Sequence, residues 1–273
     1  MITGGKAVFS EATVRGLDLD NIDPSTFSRV RAGNAIYANS FSFLDPNVPI
    51  DLKIEGGTYL GGSVSIDPNS NSDLSFNPEP GRGLLVRGNE NNRAKLTIED
   101  GYFQAGARDA DTILSFTHAG LEAGLADVVI RGGTFRGSEF VGTIPPTSTR
   151  EALQPADIFF GGGTSADIFG GDFRSVDLFG SNIVVNFYAE FFELDGEPIA
   201  FGGDRSITVD TRPQEITAGF LGQDATTFTL DRTFGDRDVS NVVRLILIPE
   251  PTSLGLVGLC VGTMLCSRGP RKR

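Results

Sequence analysis

A six-residue phrase recurs four times along this chain of 273 residues and constrains its fold more than any other feature. It reads apolar residue, any residue, a glycine pair or near-pair, any residue, aromatic. The copies are Ile54-Glu55-Gly56-Gly57-Thr58-Tyr59, Ile98-Glu99-Asp100-Gly101-Tyr102-Phe103, Ile130-Arg131-Gly132-Gly133-Thr134-Phe135 and Ile168-Phe169-Gly170-Gly171-Asp172-Phe173. The isoleucines stand 44, 32 and 38 residues apart, so segments of differing length separate the copies. A short strand sends alternate side chains to opposite faces. Glycine then turns the backbone at no steric cost, and the next strand opens with an inward aromatic. Stacked turns of this kind bury columns of isoleucine and phenylalanine, which accounts for 21 phenylalanines beside no tryptophan. The expectation is all-β: a parallel β-helix or solenoid, whose corners accept loops of any length. A β-sandwich with glycine-rich hairpins is the alternative. The recurring turn phrase favours the solenoid, because a sandwich need not repeat its turns. A shorter motif recurs every ten residues: Asp157-Ile158-Phe159, Asp167-Ile168-Phe169 and Asp177-Leu178-Phe179.

Taken in order, residues 14–19, 35–43 and 50–54 read as strands, and no helical period occurs before the C-terminal tail. Residues 67–88 and 143–155, rich in proline and turn residues, read as surface loops. From Ser181 the texture changes. Residues 182–196 form a long β segment with a hairpin turn at Asp195-Gly196. The stretches 206–209, 215–221, 226–230 and 239–247 read as a small antiparallel cap closing the end of the solenoid. The expected organisation is a solenoid over 1–181, a cap over 182–248 and a separate tail over 249–273.

Charge and cysteine usage narrow the function. The formal net charge is −12, and residues 1–248 hold 34 of the 35 acids and 19 of the 23 bases, a net of −15. An acidic body repels phosphate backbones, so nucleic acid is no expected partner. Both cysteines, Cys260 and Cys266, lie in the tail, so the body has no disulfide framework and no cysteine metal site. The single histidine, His118, reads as a surface or turn residue and rules out a histidine metal cluster. Asp67, Asn69, Asn71 and Asp73 alternate as in a calcium loop, but Ser72 replaces the turn glycine and Pro78 the closing glutamate. Asp18, Asp20 and Asp23 read as a solvated turn. Asp109 and Asp111 could serve as paired carboxylates in glycan cleavage, yet their setting reads as a turn between strands. No phosphate loop or dinucleotide fingerprint is present. No catalytic, cofactor or metal residue is therefore expected, and no cofactor.

The tail holds three parts in order. Pro249, Glu250 and Pro251 stop any strand. An uncharged apolar run from Leu254 to Cys266 follows, with Leu256, Val257, Leu259, Val261, Met264 and Leu265 as its larger members. Arg268, Arg271, Lys272 and Arg273 close the chain as a basic anchor for the cytoplasmic side of a membrane. This arrangement resembles the PEP-CTERM protein-sorting signal over residues 248–273. The resemblance implies an exported bacterial protein and, as partner, an exosortase: a membrane-embedded cysteine protease that recognises the signal. Processing then delivers the body to the cell surface or extracellular matrix. Residues 185–199 with 216–223 also resemble the closing β module that precedes such signals in some exported proteins. A transmembrane helix is expected over 252–267. Its 13-residue apolar core is shorter than the ~20 of a stable span, and Gly255, Gly258 and Gly262 weaken it, which suits a transient tether. The N-terminus MITGGKAVF has no secretory signal, so the expectation is an in-frame signal peptide upstream of Met1.

Two functions follow. The first is a non-enzymatic structural or adhesive protein of the cell surface or matrix, with surface polysaccharide as a candidate ligand. The second is a carbohydrate-active β-helix enzyme, of lyase or hydrolase type, bearing the same signal. Clustered Asp, Arg and Lys on a strand face would favour the enzyme. A calcium-stabilised adhesin is a third reading that rests on the acidic loops alone.

Overall fold

The computed structural model describes residues 2, 5–22, 29–40, 49–66, 77–109, 118–138, 156–210, 214–232 and 240–248. These are all-β, with mostly parallel sheets and no helix among the described residues. A first sheet holds eight strands: Gly5–Phe9, Ile50–Ile54, Ala94–Ile98, Ala126–Ile130, Ser165–Ile168, Val184–Ala189, Val242–Leu247 and, antiparallel at its edge, Ser206–Val209. A second sheet of nine includes Ile36–Asn39, Leu84–Arg87, Leu121–Gly124, Ile158–Gly161, Ser175–Phe179 and Thr226–Arg232, paired in that order and parallel. A third sheet pairs Ala12–Arg15, Gly57–Leu60, Tyr102–Gln104 and Thr134–Arg136. Leu19–Ile22, Val64–Ile66 and Arg108–Asp109 form a fourth, and Arg29–Arg31 with Asn77–Glu79 a fifth. The chain visits the first, third, fourth, fifth and second sheets in that sequence and repeats this circuit once; among the described residues the third pass lacks a strand in the fifth sheet, and the later ones lack strands in the fourth and fifth.

The six-residue phrase is the corner between the first and third sheets. Ile54, Ile98, Ile130 and Ile168 are register partners in neighbouring strands, and all are fully buried. Three residues later the backbone has turned at Gly57, Gly101, Gly133 and Gly171, whose φ of 112°, 135°, 103° and 125° lies in the region that favours glycine. The next inward side chain is the aromatic. Tyr59 stacks on Phe103 at 5.0 Å and 12°, and Phe103 on Phe135 at 5.1 Å and 7°. Tyr59 fits the column because its buried hydroxyl donates to the corner carbonyl of Gly56 at 2.8 Å. Each fully buried side chain of this size contributes about 1.5–3 kcal/mol.

A second glycine set has a different cause. After the third sheet and again after the fifth, the chain crosses a narrow seam. Gly33 donates to Leu17 O at 2.9 Å, Gly62 to Gly33 O at 2.8 Å, Gly81 to Gly62 O at 2.7 Å and Gly106 to Gly81 O at 2.8 Å. One backbone hydrogen-bond column thus ties successive circuits, alternating between two corners. A Cβ on Gly16, Gly61, Gly62, Gly81 or Gly106 would overlap a facing carbonyl oxygen. The seam pinches off the fourth and fifth sheets as a lateral lobe from the core enclosed by the other three.

Two expectations are corrected here, and the short motif is placed. Residues 67–88 are not one surface loop: Asn77–Glu79 and Leu84–Arg87 are strands, and Leu84 and Val86 are fully buried. The glycines at 81 and 83 serve close packing rather than a loop. The ten-residue motif does not mark equivalent positions. Its copies fall alternately on the second, first and second sheets, and the true partner of Ile158 is Val176. Arg108–Asp109, expected as a turn, pairs in parallel with Val64 and Ser65.

Residues 182–248 do two things at once. Val184–Ala189, Thr226–Arg232 and Val242–Leu247 extend the parallel sheets. Phe191–Leu194, Glu197–Pro198, Ser206–Val209 and Gln214–Gly219 add antiparallel strands. The turn at Asp195 (φ 50°) and Gly196 (φ 80°) is a two-residue hairpin with both residues left-handed, as the sequence indicates. Gln223 stitches this end down: its side chain accepts from Gly171 N at 2.9 Å and donates to Arg131 O at 3.0 Å. The expected helix over 252–267 lies outside the described residues, among which no helix is long and apolar enough to cross a membrane.

The seam predicts opposite outcomes for two glycine substitutions. Gly81→Ala forces a methyl into Gly33 O and should cost at least about 3 kcal/mol in denaturant unfolding. Gly124→Ala, with nothing within 4 Å of the new Cβ, should stay within about 0.5 kcal/mol.

Candidate functional site: a buried ionic cluster at the seam

The densest set of functional side chains sits beside the seam and draws on three successive circuits. Arg31 comes from the fifth sheet, as does Glu79 one circuit on. Arg82 lies between seam residues Gly81 and Gly83, and Arg87 ends a strand of the second sheet. His118 precedes, and Glu122 lies in, the next strand of that sheet. Arg31 Nε donates to Glu79 Oε2 at 2.6 Å. Arg82 Nε donates to Glu122 Oε2, and Arg87 Nη2 to Glu122 Oε1 at 2.6 Å. His118 Nε2 lies 3.6 Å from Glu79 Oε2, beyond hydrogen-bond length. Glu79, Arg82, His118 and Glu122 are 1%, 6%, 4% and 7% exposed. His118 O in turn accepts from Ser138 N at 3.0 Å and from its hydroxyl at 3.2 Å, which links a fourth circuit.

His118 is therefore not a surface or turn histidine. Its ring faces Glu79, 39 residues upstream, a partner that no local window shows. Burial pushes the His118 pKa below its ordinary 6.5, with Glu79 opposing in part. Burial also pushes Arg82 down against the pull of Glu122. For Glu122, burial would raise the pKa, but Arg82 and Arg87 outweigh it and hold the carboxyl below its usual range. Among the described residues, two buried side-chain atoms make no hydrogen bond: Arg82 Nη1, and His118 Nε2, which faces Glu79 Oε2 at 3.6 Å. An unsatisfied buried polar group costs about 1–3 kcal/mol, so this cluster carries a penalty that the rest of the described interior avoids.

Asp157 illustrates the contrast. It is fully buried, yet it accepts from Gly137 N at 2.7 Å, Arg174 N at 2.7 Å, Arg174 Nε at 3.1 Å and Arg174 Nη2 at 3.0 Å. The outer face of the first sheet gathers charge as well. Lys6 pairs with Asp51 at 3.2 Å, Lys53 with Glu55 at 2.8 Å, Arg131 with Glu99 at 2.9 Å and Arg93 with Asp127 at 2.6 Å. Asp167 accepts from Asn186 at 2.8 Å and Tyr188 at 3.3 Å, while Tyr188 stacks on Phe169 at 4.4 Å.

The acids singled out from sequence are scattered. Asp18 accepts from Arg15 at 2.7 Å and from Ser63 N at 2.7 Å, and Asp20 from Ser65 at 3.3 Å, so both bridge to neighbouring groups rather than form a free cluster. Asp109 lies in a two-residue strand. Asp23, Asp67, Asn69, Asn71, Asp73 and Asp111 lie outside the described residues, as do Pro249, Glu250, Pro251, the apolar run and the basic anchor. Among the described residues no three His, Cys, Asp or Glu side chains converge as metal ligands. Sequence reasoning missed Glu79, Arg82 and Glu122. One signal was available: Glu122 interrupts the otherwise apolar run Ala119-Gly120-Leu121-Glu122-Ala123. No family model, no curated protein and no solved structure matches the chain.

Chemically the cluster is a clamp. The Glu122 carboxyl stays ionised and His118 stays neutral near pH 7. The unfolded chain binds the His118 proton more readily than the folded one, since the folded pKa lies below 6.5. Stability from this group is thus complete above pH 6.5 and declines as pH falls through the window below it. The slope approaches about 1.4 kcal/mol per pH unit between the two pKa values. Thermal unfolding from pH 7.5 to 5.0 should fall more steeply for the unaltered protein than for His118→Gln. Parallel curves would mean that His118 titrates as it does in water.

Proposed function

We propose that this is an exported bacterial protein of the cell surface or extracellular matrix. Its body is a parallel β-helix with a structural or adhesive role, delivered by the PEP-CTERM-type signal at residues 248–273. The observation that carries the β-helix reading is the coincidence of phrase and register. Four copies of one sequence phrase occupy one corner, and their isoleucines are partners strand to strand. Antiparallel strands at the C-terminal end then close what would otherwise be an open edge. The structural role is supported by how the polar side chains are used. On the outer face of the first sheet, ion pairs link residues of neighbouring strands, Lys6 to Asp51 and Arg131 to Glu99 among them. A fibrous or adhesive element needs such lateral ties more than it needs a cleft.

In this reading an exosortase-type membrane protease recognises Pro249, Glu250 and Pro251. The apolar run Leu254 to Cys266 holds the chain in the membrane, and Arg268, Arg271, Lys272 and Arg273 fix its orientation. Intact-mass analysis of the surface form from the native host tests this. The expected mass ends near residues 249–251, and recovery of Arg273 on the mature surface form refutes processing.

One observation favours the second reading, a carbohydrate-active enzyme. The outer face of the first sheet collects Asp51, Lys53, Lys95, Asp127 and Asp167 in adjacent rows. Incubation with acidic and neutral surface polysaccharides separates the two. Binding without new reducing or unsaturated ends is the outcome for a structural or adhesive body. Chain cleavage lost in Asp167→Asn would establish the enzyme.

A further inference from the structure

Two glycines leave a notch in the outer face of the second sheet. Along one outward row, Arg87 is the register partner of Gly124, and Gly161 is that of Phe179. The two glycines lie side by side, since a Cβ on Gly161 would meet Gly124 Cα at 3.5 Å. A Cβ on Gly124 would meet nothing within 4 Å, so the space above it is open. Arg87 and Phe179 therefore flank a bare floor, with three strand steps, or about 14 Å, between their backbones. Both side chains lean toward it. Arg87 Nη2 donates to Glu122, in the strand of Gly124, and the Phe179 ring stacks at 5.9 Å on Phe159, in the strand of Gly161. Each stays half exposed, the Arg87 side chain at 51% and Phe179 at 48%. Phe191, the other exposed phenylalanine among the described residues, closes over Gly219, so packing accounts for it. Phe179 leaves Gly161 uncovered.

A ligand for this notch needs an apolar face for the rings and hydrogen-bonding oxygens on its rim for Arg87, whose guanidinium has donors besides the one spent on Glu122. A pyranose ring has both. A polyanion is disfavoured, because Asp177 and Asp231 follow Phe159 in the adjacent outward row and the body is acidic overall. We propose that the notch binds one pyranose unit of a neutral surface glycan, its C–H face on Phe179 and its hydroxyls on Arg87. This rests on the adhesive reading of the body and adds the place where the glycan sits. Covering the exposed ring removes apolar surface from water, and the bare floor lets the sugar approach the backbone.

Affinity electrophoresis of the full chain tests the site, with dextran, galactomannan or mixed-linkage β-glucan in the gel and alginate as the polyanion. A neutral polymer should retard the protein and alginate should not. Phe179→Ala, and Gly124→Leu, which fills the notch, should each weaken that binding about tenfold or more. Phe179→Trp should keep it, and Phe191→Ala should leave it unchanged. Thermal unfolding near that of the unaltered protein separates lost binding from lost fold. Unchanged retardation in Phe179→Ala or in Gly124→Leu overturns the notch and leaves the adhesive reading standing. Retardation by alginate alone, or by none of these polymers, overturns the notch and the adhesive role together, while export is still judged by the mature mass.

Discussion

Register between successive circuits is the constraint on which this fold depends. A one-residue slip between two strands would turn every inward side chain outward. Here the columns leave no room for that. Ile54, Ile98, Ile130 and Ile168 stand at one height in four strands, and Tyr59, Phe103 and Phe135 stack one circuit above another. The corner glycines make the register possible because they place the aromatic at a fixed distance from the isoleucine. Backbone ladders then hold what the side chains select. Segments between the corners can vary in length without disturbing the columns, which explains why the phrase recurs at unequal intervals.

The glycine seam is the second level of organisation. It lets two corners of the same circuit approach until their backbones exchange hydrogen bonds, from Leu17 through Gly33, Gly62 and Gly81 to Gly106. A side chain at any of the tightest positions would separate them. The seam therefore divides an apolar core, built from isoleucine and phenylalanine, from a lateral lobe of short strands. The ionic cluster lies at this boundary, where backbone atoms are close packed and bulky apolar side chains cannot fill the space. Arg82 reaches the interior from a position flanked by Gly81 and Gly83, and its charge is matched by Glu122 from the following circuit.

Much of this was legible in the sequence. The corner phrase identified the inward isoleucine and aromatic columns, and Asp195-Gly196 identified the hairpin. The errors have physical causes. The ten-residue motif is no structural repeat, because Asp-Ile-Phe suits an entry into either large sheet and copies on opposite sheets look alike. The loop expected over 67–88 fails at Asn77–Glu79 and Leu84–Arg87 because Gly81 and Gly83 read as turn formers, whereas backbone contact demands them. His118 reads as exposed in sequence because its chain neighbours say nothing about a partner 39 residues upstream at Glu79. Long-range charge pairing of this kind has no local signature.

The central claim is that the outer residues Lys53, Thr97, Val129, Asp167, Asn186 and Arg244 form one row along stacked parallel strands. Double electron–electron resonance between spin labels at Lys53→Cys and Arg244→Cys, with Cys260 and Cys266 replaced by serine, measures it. Five inter-strand steps predict a single narrow distance near ~24 Å between backbone positions, widened only by the label linkers. A broad distribution, or a distance that does not shorten stepwise when the first label moves to Thr97 and then Val129, would contradict the account.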